Sequence, residues 1–328
     1  GFILHQVFGQ ISPEVMAYCS TYLDIVSLSI PFIALYNGGA ALFRTMGNSK
    51  ISMYTSLLMN AINVVGNAIL IYGFKMEVAG AAIPTLFSRI VAAVVMIALL
   101  RNPKLLVHLK RPFVLRFNGG LIKRILYIGV PNGLENSMFQ LGKIMLLSLV
   151  SGFGTAAIAA NAVGNTLATF MVLPGMALGF AVITVISRCI GAGDYEQARY
   201  FTKKLLKITY LSMLVTNILV VVAMPVIVKL YNLSEVASTI AMQIILSHGI
   251  AAILIWPLAF TLPNTLRAAN DVKFSMVISI LSMWIFRIGF GYLLAKYLGM
   301  GVMGVWFAMY IDWAVRAICF VLRYRSTR

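Results

Sequence analysis

Phe43-Arg44-Thr45-Met46-Gly47-Asn48-Ser49-Lys50-Ile51-Ser52-Met53 closes one apolar stretch and opens the next. It returns as Leu266-Arg267-Ala268-Ala269-Asn270-Asp271-Val272-Lys273-Phe274-Ser275-Met276. Arg, Lys, Ser and Met recur in register at an offset of 223, and Gly47-Asn48 is answered by Asn270-Asp271. Further on, Val78-Ala79-Gly80 is answered by Val302-Met303-Gly304 at an offset of 224. Two matches at nearly one spacing point to an internal duplication, a common plan of membrane transporters.

Working outward, the composition agrees. The 328 residues are 61% hydrophobic and 11% charged, with a mean hydropathy of +0.93. That leaves too little polar surface for a water-soluble domain of this size. Nine segments reach the roughly 20 apolar residues that a bilayer-spanning helix needs: 16–41, 51–73, 79–100, 125–150, 155–187, 205–229, 237–262, 274–296 and 303–323. Backbone groups in lipid must be satisfied within the segment, so all nine are expected to be helices. The predicted class is an all-α polytopic membrane protein.

The net charge of +17 invites a nucleic-acid reading, but the charges alternate by loop. Loops 42–50, 101–124, 188–204 and 263–273 and the C-terminal tail hold nearly all the Lys and Arg, while the intervening loops offer Lys75, Lys229 and Lys296. This is the positive-inside pattern. It places the C-terminus in the cytoplasm and directs the basic residues toward anionic lipid headgroups, with no nucleic-acid partner expected. Cys19, Cys189 and Cys319 lie in or beside apolar segments without paired spacing, which argues for neither disulfides nor a metal site. Nine helices with the C-terminus inside put Gly1 outside, without an initiator Met or a signal peptide. The duplication predicts that about three helices' worth of chain precedes it.

Within the segments, polar residues mark faces. Ser52, Ser56, Asn60, Asn63 and Asn67 share one helix face, which must look into the bundle, either as interhelical hydrogen bonding or as a cavity lining. In 125–150, Asn136, Gln140 and Lys143 share a face and Glu135 lies about 100° away. A charge at mid-membrane costs about 2.5–3.5 kcal/mol. Glu135 is therefore either neutralised by a partner or a cation or proton site, and Lys143 is a structural or gating counter-charge. Asn161, Asn165, Thr166 and Thr169 precede Pro174-Gly175, an expected bend. Asp312 and Arg316 are spaced to pair with each other, with Arg89 in repeat register beside them. His248 is expected to be a hydrogen-bonded bundle histidine, with a proton relay as its functional reading. No Walker A, HExxH or GxSxG sequence occurs, so neither ATP-driven transport nor hydrolysis has support; an enzyme is not expected.

Pro31-Phe32-Ile33-Ala34-Leu35-Tyr36-Asn37 leading to Phe43-Arg44-Thr45-Met46-Gly47-Asn48-Ser49-Lys50, together with Gly191-Ala192-Gly193-Asp194-Tyr195-Glu196-Gln197-Ala198-Arg199, closely resembles the multidrug and toxic compound extrusion (MATE) family over the whole chain. The resemblance implies a twelve-helix transporter of two six-helix lobes in the bacterial cell membrane. It implies export of small organic cations and amphipathic compounds in exchange for Na⁺ or H⁺, with no other cofactor. The chain would supply helices four to twelve: an incomplete lobe at 1–100 with three complete helices, a cytoplasmic interfacial linker at 101–118, and a six-helix lobe at 119–328. Glu135 sits about one turn nearer Pro131 than the acidic residue of several family members, and the tenth-helix region offers Ser247-His248 in place of a carboxylate. The candidate cation and substrate residues are Glu135, Asn136, Gln140, Lys143, Asn161, Asn165, Asn60, Asn63 and His248. Alternatives are a lipid-linked oligosaccharide flippase of related fold, for which Lys143, Arg89 and Arg287 speak, and a transport-inactive membrane remnant.

Overall fold

The computed structural model describes residues 13–109 and 117–326. The expectations for residues 1–12, for the 110–116 part of the linker and for Arg328 lie outside them. Among the described residues all regular structure is helical, and the chain divides into two compact units, Gly1–Arg116 and Phe117–Arg328.

In the first unit, α1 (Pro13–Leu28) and α2 (Ile30–Thr45) meet at a 43° bend, within the stretch that the sequence reads as one segment, 16–41. Ser29, fully buried, sits at the bend with Pro31 just beyond it. Arg89 Nη1 donates to its Oγ at 2.6 Å. Arg89, on α4 (Glu77–Leu100), thus holds the bend rather than pairing with a carboxylate. The third helix, α3 (Ser49–Ala68), continues through a π-helical turn at Ile69–Gly73. Helix α4 packs against all three, and the core of Tyr36, Ala40, Phe43, Ala92, Met96 and Leu100 lies between them.

The second unit begins with α5 (Gly119–Ser151), then α6 (Thr155–Gly191), α7 (Tyr195–Leu230) and α8 (Glu235–Leu254). A π-helical turn at Pro257–Thr261 leads into α9 (Pro263–Ala268), so much of the expected loop at 263–273 is helix. Then α10 (Val272–Ser282) runs on through π-helical and α-helical turns to Tyr297, and α11 (Gly301–Ser326) closes the chain. Helix α6 is central, packed on α7 and α8, and the main core gathers Met213, Ile244, Trp256, Trp306 and Trp313. Pro174-Gly175 lies inside α6, which is continuous from Thr155 to Gly191. A Cβ at Gly175 would come 2.2 Å from the Trp256 ring, so the glycine is there to seat that ring.

Among the described residues, seven helices are long and apolar enough to cross a membrane, or eight if α1 and α2 count as one span. The ninth expected segment, 125–150, lies within helix α5, which at 33 residues is longer than a span needs; Asn132, Glu135, Asn136, Gln140 and Lys143 dilute its apolar residues.

The duplication is visible in backbone geometry. Gly47 N–H donates to the Arg44 carbonyl at 3.0 Å and Asn48 N–H to that of Phe43 at 2.9 Å; Asn270 and Asp271 repeat both bonds to Arg267 and Leu266 at 3.0 and 2.9 Å. These are left-handed helix caps, with φ of 84° at Gly47 and 64° at Asn270, the two residue types that tolerate the conformation best. The π-helical turn at Ile69–Gly73 returns at Leu293–Tyr297. The positive φ of Lys75 and Glu77 (53° and 46°) returns at Gly299 and Gly301 (70° and 56°).

Gly80 and Gly304, the second sequence match, each face such a π-helical turn. A Cβ at Gly304 would lie 2.6 Å from the Ala295 backbone nitrogen and 2.7 Å from the Leu294 carbonyl carbon; at Gly80 the equivalent contacts are 3.3 and 3.2 Å. Backbone cannot swing aside as a side chain can. Gly304→Ala is therefore expected to destabilise the protein by about 1–3 kcal/mol, the range for overpacking, and Gly80→Ala by less. Thermal unfolding of the two variants in detergent checks the order.

Candidate functional site

Helix α5 carries Glu135, Phe139 and Lys143 at intervals of four, so that Phe139 lies one turn from each of the two charged residues. The Glu135 carboxylate is held by Arg267, whose Nη2 donates to Oε2 at 2.7 Å and to Oε1 at 2.8 Å. The side chains are 15% and 21% exposed, respectively. Arg267 Nη1 in turn donates to Asn264 Oδ1 at 3.0 Å, and the Asn264 amide is seated over Gly179, where a Cβ would come within 2.8 Å. The sequence reading places Arg267 in the basic loop 263–273. It instead ends α9, part-buried, because the π-helical turn at Pro257–Thr261 carries the helix past the expected loop start. Its place within the duplicated stretch was the one available signal, and Asn264 had none.

Lys143 meets no carboxylate among the described residues. Its Nζ lies 5.1 Å from the Phe139 ring centroid, and the same ring takes the guanidinium carbons of Arg287 at 5.0 Å and Arg316 at 5.8 Å. Rings attract cations through their negative faces. Asp312, fully buried, accepts from Arg316 Nε at 2.8 Å on Oδ1, where the Ser282 hydroxyl also donates. The expected Asp312–Arg316 pair is therefore present, with a second cation, Arg287 Nη1, 3.8 Å from Oδ2. Arg316 Nη2 also donates to the Ser279 carbonyl at 2.9 Å.

The amides divide. Asn161 is buried and accepts from Trp306 Nε1 at 3.1 Å, tying α6 to α11. Asn136 and Asn165 are exposed, and each donates to the carbonyl four residues back at 2.9 Å, which lets an amide face outward without a partner on another helix. Gln140 is exposed. On α3, Asn63 donates to Thr85 Oγ1 of α4 at 3.0 Å, and Asn67 donates to Asn63 Oδ1 at 3.2 Å, while Asn60 faces outward. That face is interhelical at 63, is braced from within the helix by 67, and is open at 60.

His248 is 3% exposed, with ring centroids of Trp313 at 5.3 Å, Trp306 at 5.5 Å and Tyr310 at 6.3 Å. Its ring lies beside the Ala168 backbone, outside ordinary hydrogen-bond geometry. Ser247 and Tyr310 bond each other at 3.0 Å, and aromatic rings enclose this histidine. Among the described residues no three His, Cys, Asp or Glu side chains gather as metal ligands.

Long apolar helices, with several of their charges paired or covered by rings, define an all-α polytopic membrane protein, multi-pass in the bilayer. The family model MatE matches residues 3–69 and 131–293, and the chain belongs to that family. It is a transporter and not an enzyme. It is 26% identical over 326 residues to the uncharacterized transporter YisQ of Bacillus subtilis (strain 168), covering 96% of this chain and 70% of that protein. It is 27% identical over 307 residues to the probable multidrug resistance protein YoeA of the same organism, covering 90% of this chain and 65% of that one. Among solved structures, an outward-facing multidrug resistance MATE transporter of the MOP superfamily superposes with a TM-score of 0.85 at 20% identity, over 94% of this chain and 68% of that one. This likeness carries the fold.

Proposed function

We propose that the protein exports small cationic or amphipathic organic compounds across a bacterial cell membrane in exchange for Na⁺ or H⁺, by alternating access, with its C-terminus in the cytoplasm. Family membership and the multidrug-resistance relatives support export of small organic compounds. The alternating basic loops support the orientation.

The observation that carries the coupling is the Glu135–Arg267 bridge. A carboxylate on the polar face of a membrane helix is costly unless neutralised. Here the neutralising group is a guanidinium on the far side of a π-helical turn. A proton or Na⁺ at Glu135 competes with Arg267 for the same oxygens. Occupation by the ion frees α9 from α5; loss of the ion restores the bridge. Two states that differ in one charge pair are what an ion gradient needs in order to bias a conformational equilibrium. Asn60, Asn136, Gln140 and Asn165, with outward-facing amides, supply hydrogen-bonding positions for substrate. Asn63 and Asn161 fix α3 and α6, which present Asn60 and Asn165, to their neighbours, and His248 packs α8 against α11.

The test is efflux of ethidium from energised membrane vesicles under an imposed Na⁺ or H⁺ gradient, comparing the native protein with Glu135→Gln. Efflux that needs the gradient and Glu135 supports the reading, and efflux indifferent to both refutes it.

A further inference from the structure

The second unit holds more positive than negative charge where its helices pack. Three cations gather on the Phe139 ring, Lys143, Arg287 and Arg316, against two nearby carboxylates: Asp312, shared by the two arginines, and Glu135, one turn away and already bridged by Arg267. Arg316 and Ser282 together occupy Asp312 Oδ1, so that pair is closed. Arg287 is left with a 3.8 Å approach to Oδ2, beyond hydrogen-bond reach. Its residue is 8% exposed and its Nε has no hydrogen-bond partner. Lys143 lies close enough to repel it and has an exposed side chain. Burying an arginine with an unsatisfied N–H beside a second cation is costly. A ring face offsets only part of that cost.

We propose that Lys143 and Arg287, set by Phe139, form a binding site for an oxyanion carried on an apolar body: a carboxylate, sulfonate or phosphate group of a small amphipathic compound. Arg287 offers a planar donor fork from a buried position, suited to two oxygens at once. Lys143 offers a mobile point charge from the exposed side, able to close on the same group. An anion there adds to the single negative charge that Asp312 divides between Arg316 and Arg287. The site goes beyond the coupling reading, since it involves neither Glu135 nor Arg267, and it adds anionic and zwitterionic compounds to the ligands this protein recognises. The same chemistry is met by a soluble organic anion or by an anionic lipid headgroup.

The experiment is fluorescence polarisation of fluorescein, an anion at neutral pH, with the purified protein in nanodiscs of phosphatidylcholine. Ethidium serves as the cationic control. Saturable fluorescein binding is expected, weakened about tenfold by Lys143→Gln, the loss of one charge-assisted hydrogen bond. Lys143→Arg should restore it and leave ethidium binding unchanged. Lys143 is exposed, so these variants should keep the fold. If added phosphatidylglycerol competes with fluorescein in the native protein, the site is supported and the headgroup is its source; if it does not compete, the site is supported for soluble anions. Non-saturable binding, or equal affinity in Lys143→Gln, overturns the proposal. Because the readout is binding without a gradient, this failure is distinct from failure of the coupling role of Glu135.

Discussion

Asp312→Asn should remove most of the folded protein. The carboxylate is fully buried and answers two arginines, Arg316 through a 2.8 Å hydrogen bond and Arg287 at 3.8 Å. Asparagine keeps the size and can still accept from Ser282, but it leaves two guanidinium charges uncompensated. Breaking one side of a buried ion pair costs about 3–5 kcal/mol, a large part of the roughly 5–15 kcal/mol that separates folded from unfolded states. The internal control is Arg323→Gln. Its pair with Asp271 has the same 2.8 Å separation, but the arginine side chain is 43% exposed, and exposed pairs contribute about 0–1 kcal/mol. Thermal unfolding in detergent should therefore separate two salt bridges that look alike by distance. An Asp312→Asn protein that melts beside the native one would show that Arg287 and Arg316 find their compensation elsewhere.

Glu135→Gln should abolish gradient-driven export while leaving the protein inserted and folded. The glutamine still accepts a hydrogen bond from Arg267, and the pair it replaces is partly exposed, so the structural loss is modest. The functional loss is not. A neutral amide neither takes a proton nor attracts Na⁺ strongly enough to displace a guanidinium, and the ion gradient then has nothing to bias. Coupling between two ligands typically amounts to a factor of about 5–150, and export should fall by a factor in that range, toward passive leak. Arg267→Gln should act in the opposite sense on the ion. With its competitor gone, Glu135 should be occupied at lower Na⁺ or H⁺ concentration, and the concentration for half-maximal export should drop.

What was legible in the sequence was what local chemistry writes down. A left-handed cap needs Gly or Asn, so Gly47 and Asn270 disclosed the duplication. Close approach to a helix backbone needs Gly, so Gly80 and Gly304 disclosed it again. Hydropathy and loop charge gave the membrane class. The π-helical turns at Ile69–Gly73 and Leu293–Tyr297 left no mark, because Ile, Leu and Tyr serve either helix type equally well. They are recognisable only from the glycines that pack against them. The charge partners were harder to see. Asp312 and Arg316 lie one turn apart and could be paired on paper, but Arg287 is 25 residues from Asp312, and Arg267 is 132 from Glu135. Such pairs depend on which helices touch, which spacing along one helix does not report. The surroundings of His248 were hidden for a related reason: Trp306, Tyr310 and Trp313, which enclose it, come from α11.

The central claim, that an ion gradient drives export by competing with Arg267 for Glu135, is tested most directly by one titration. Initial rates of ethidium efflux from vesicles are measured against Na⁺ concentration, and separately against pH, for the native protein, Arg267→Gln and Glu135→Gln. The account predicts a saturating dependence on one of the two ions for the native protein, a shift to lower ion concentration for Arg267→Gln, and a flat response at the leak rate for Glu135→Gln. Identical curves for all three would contradict it.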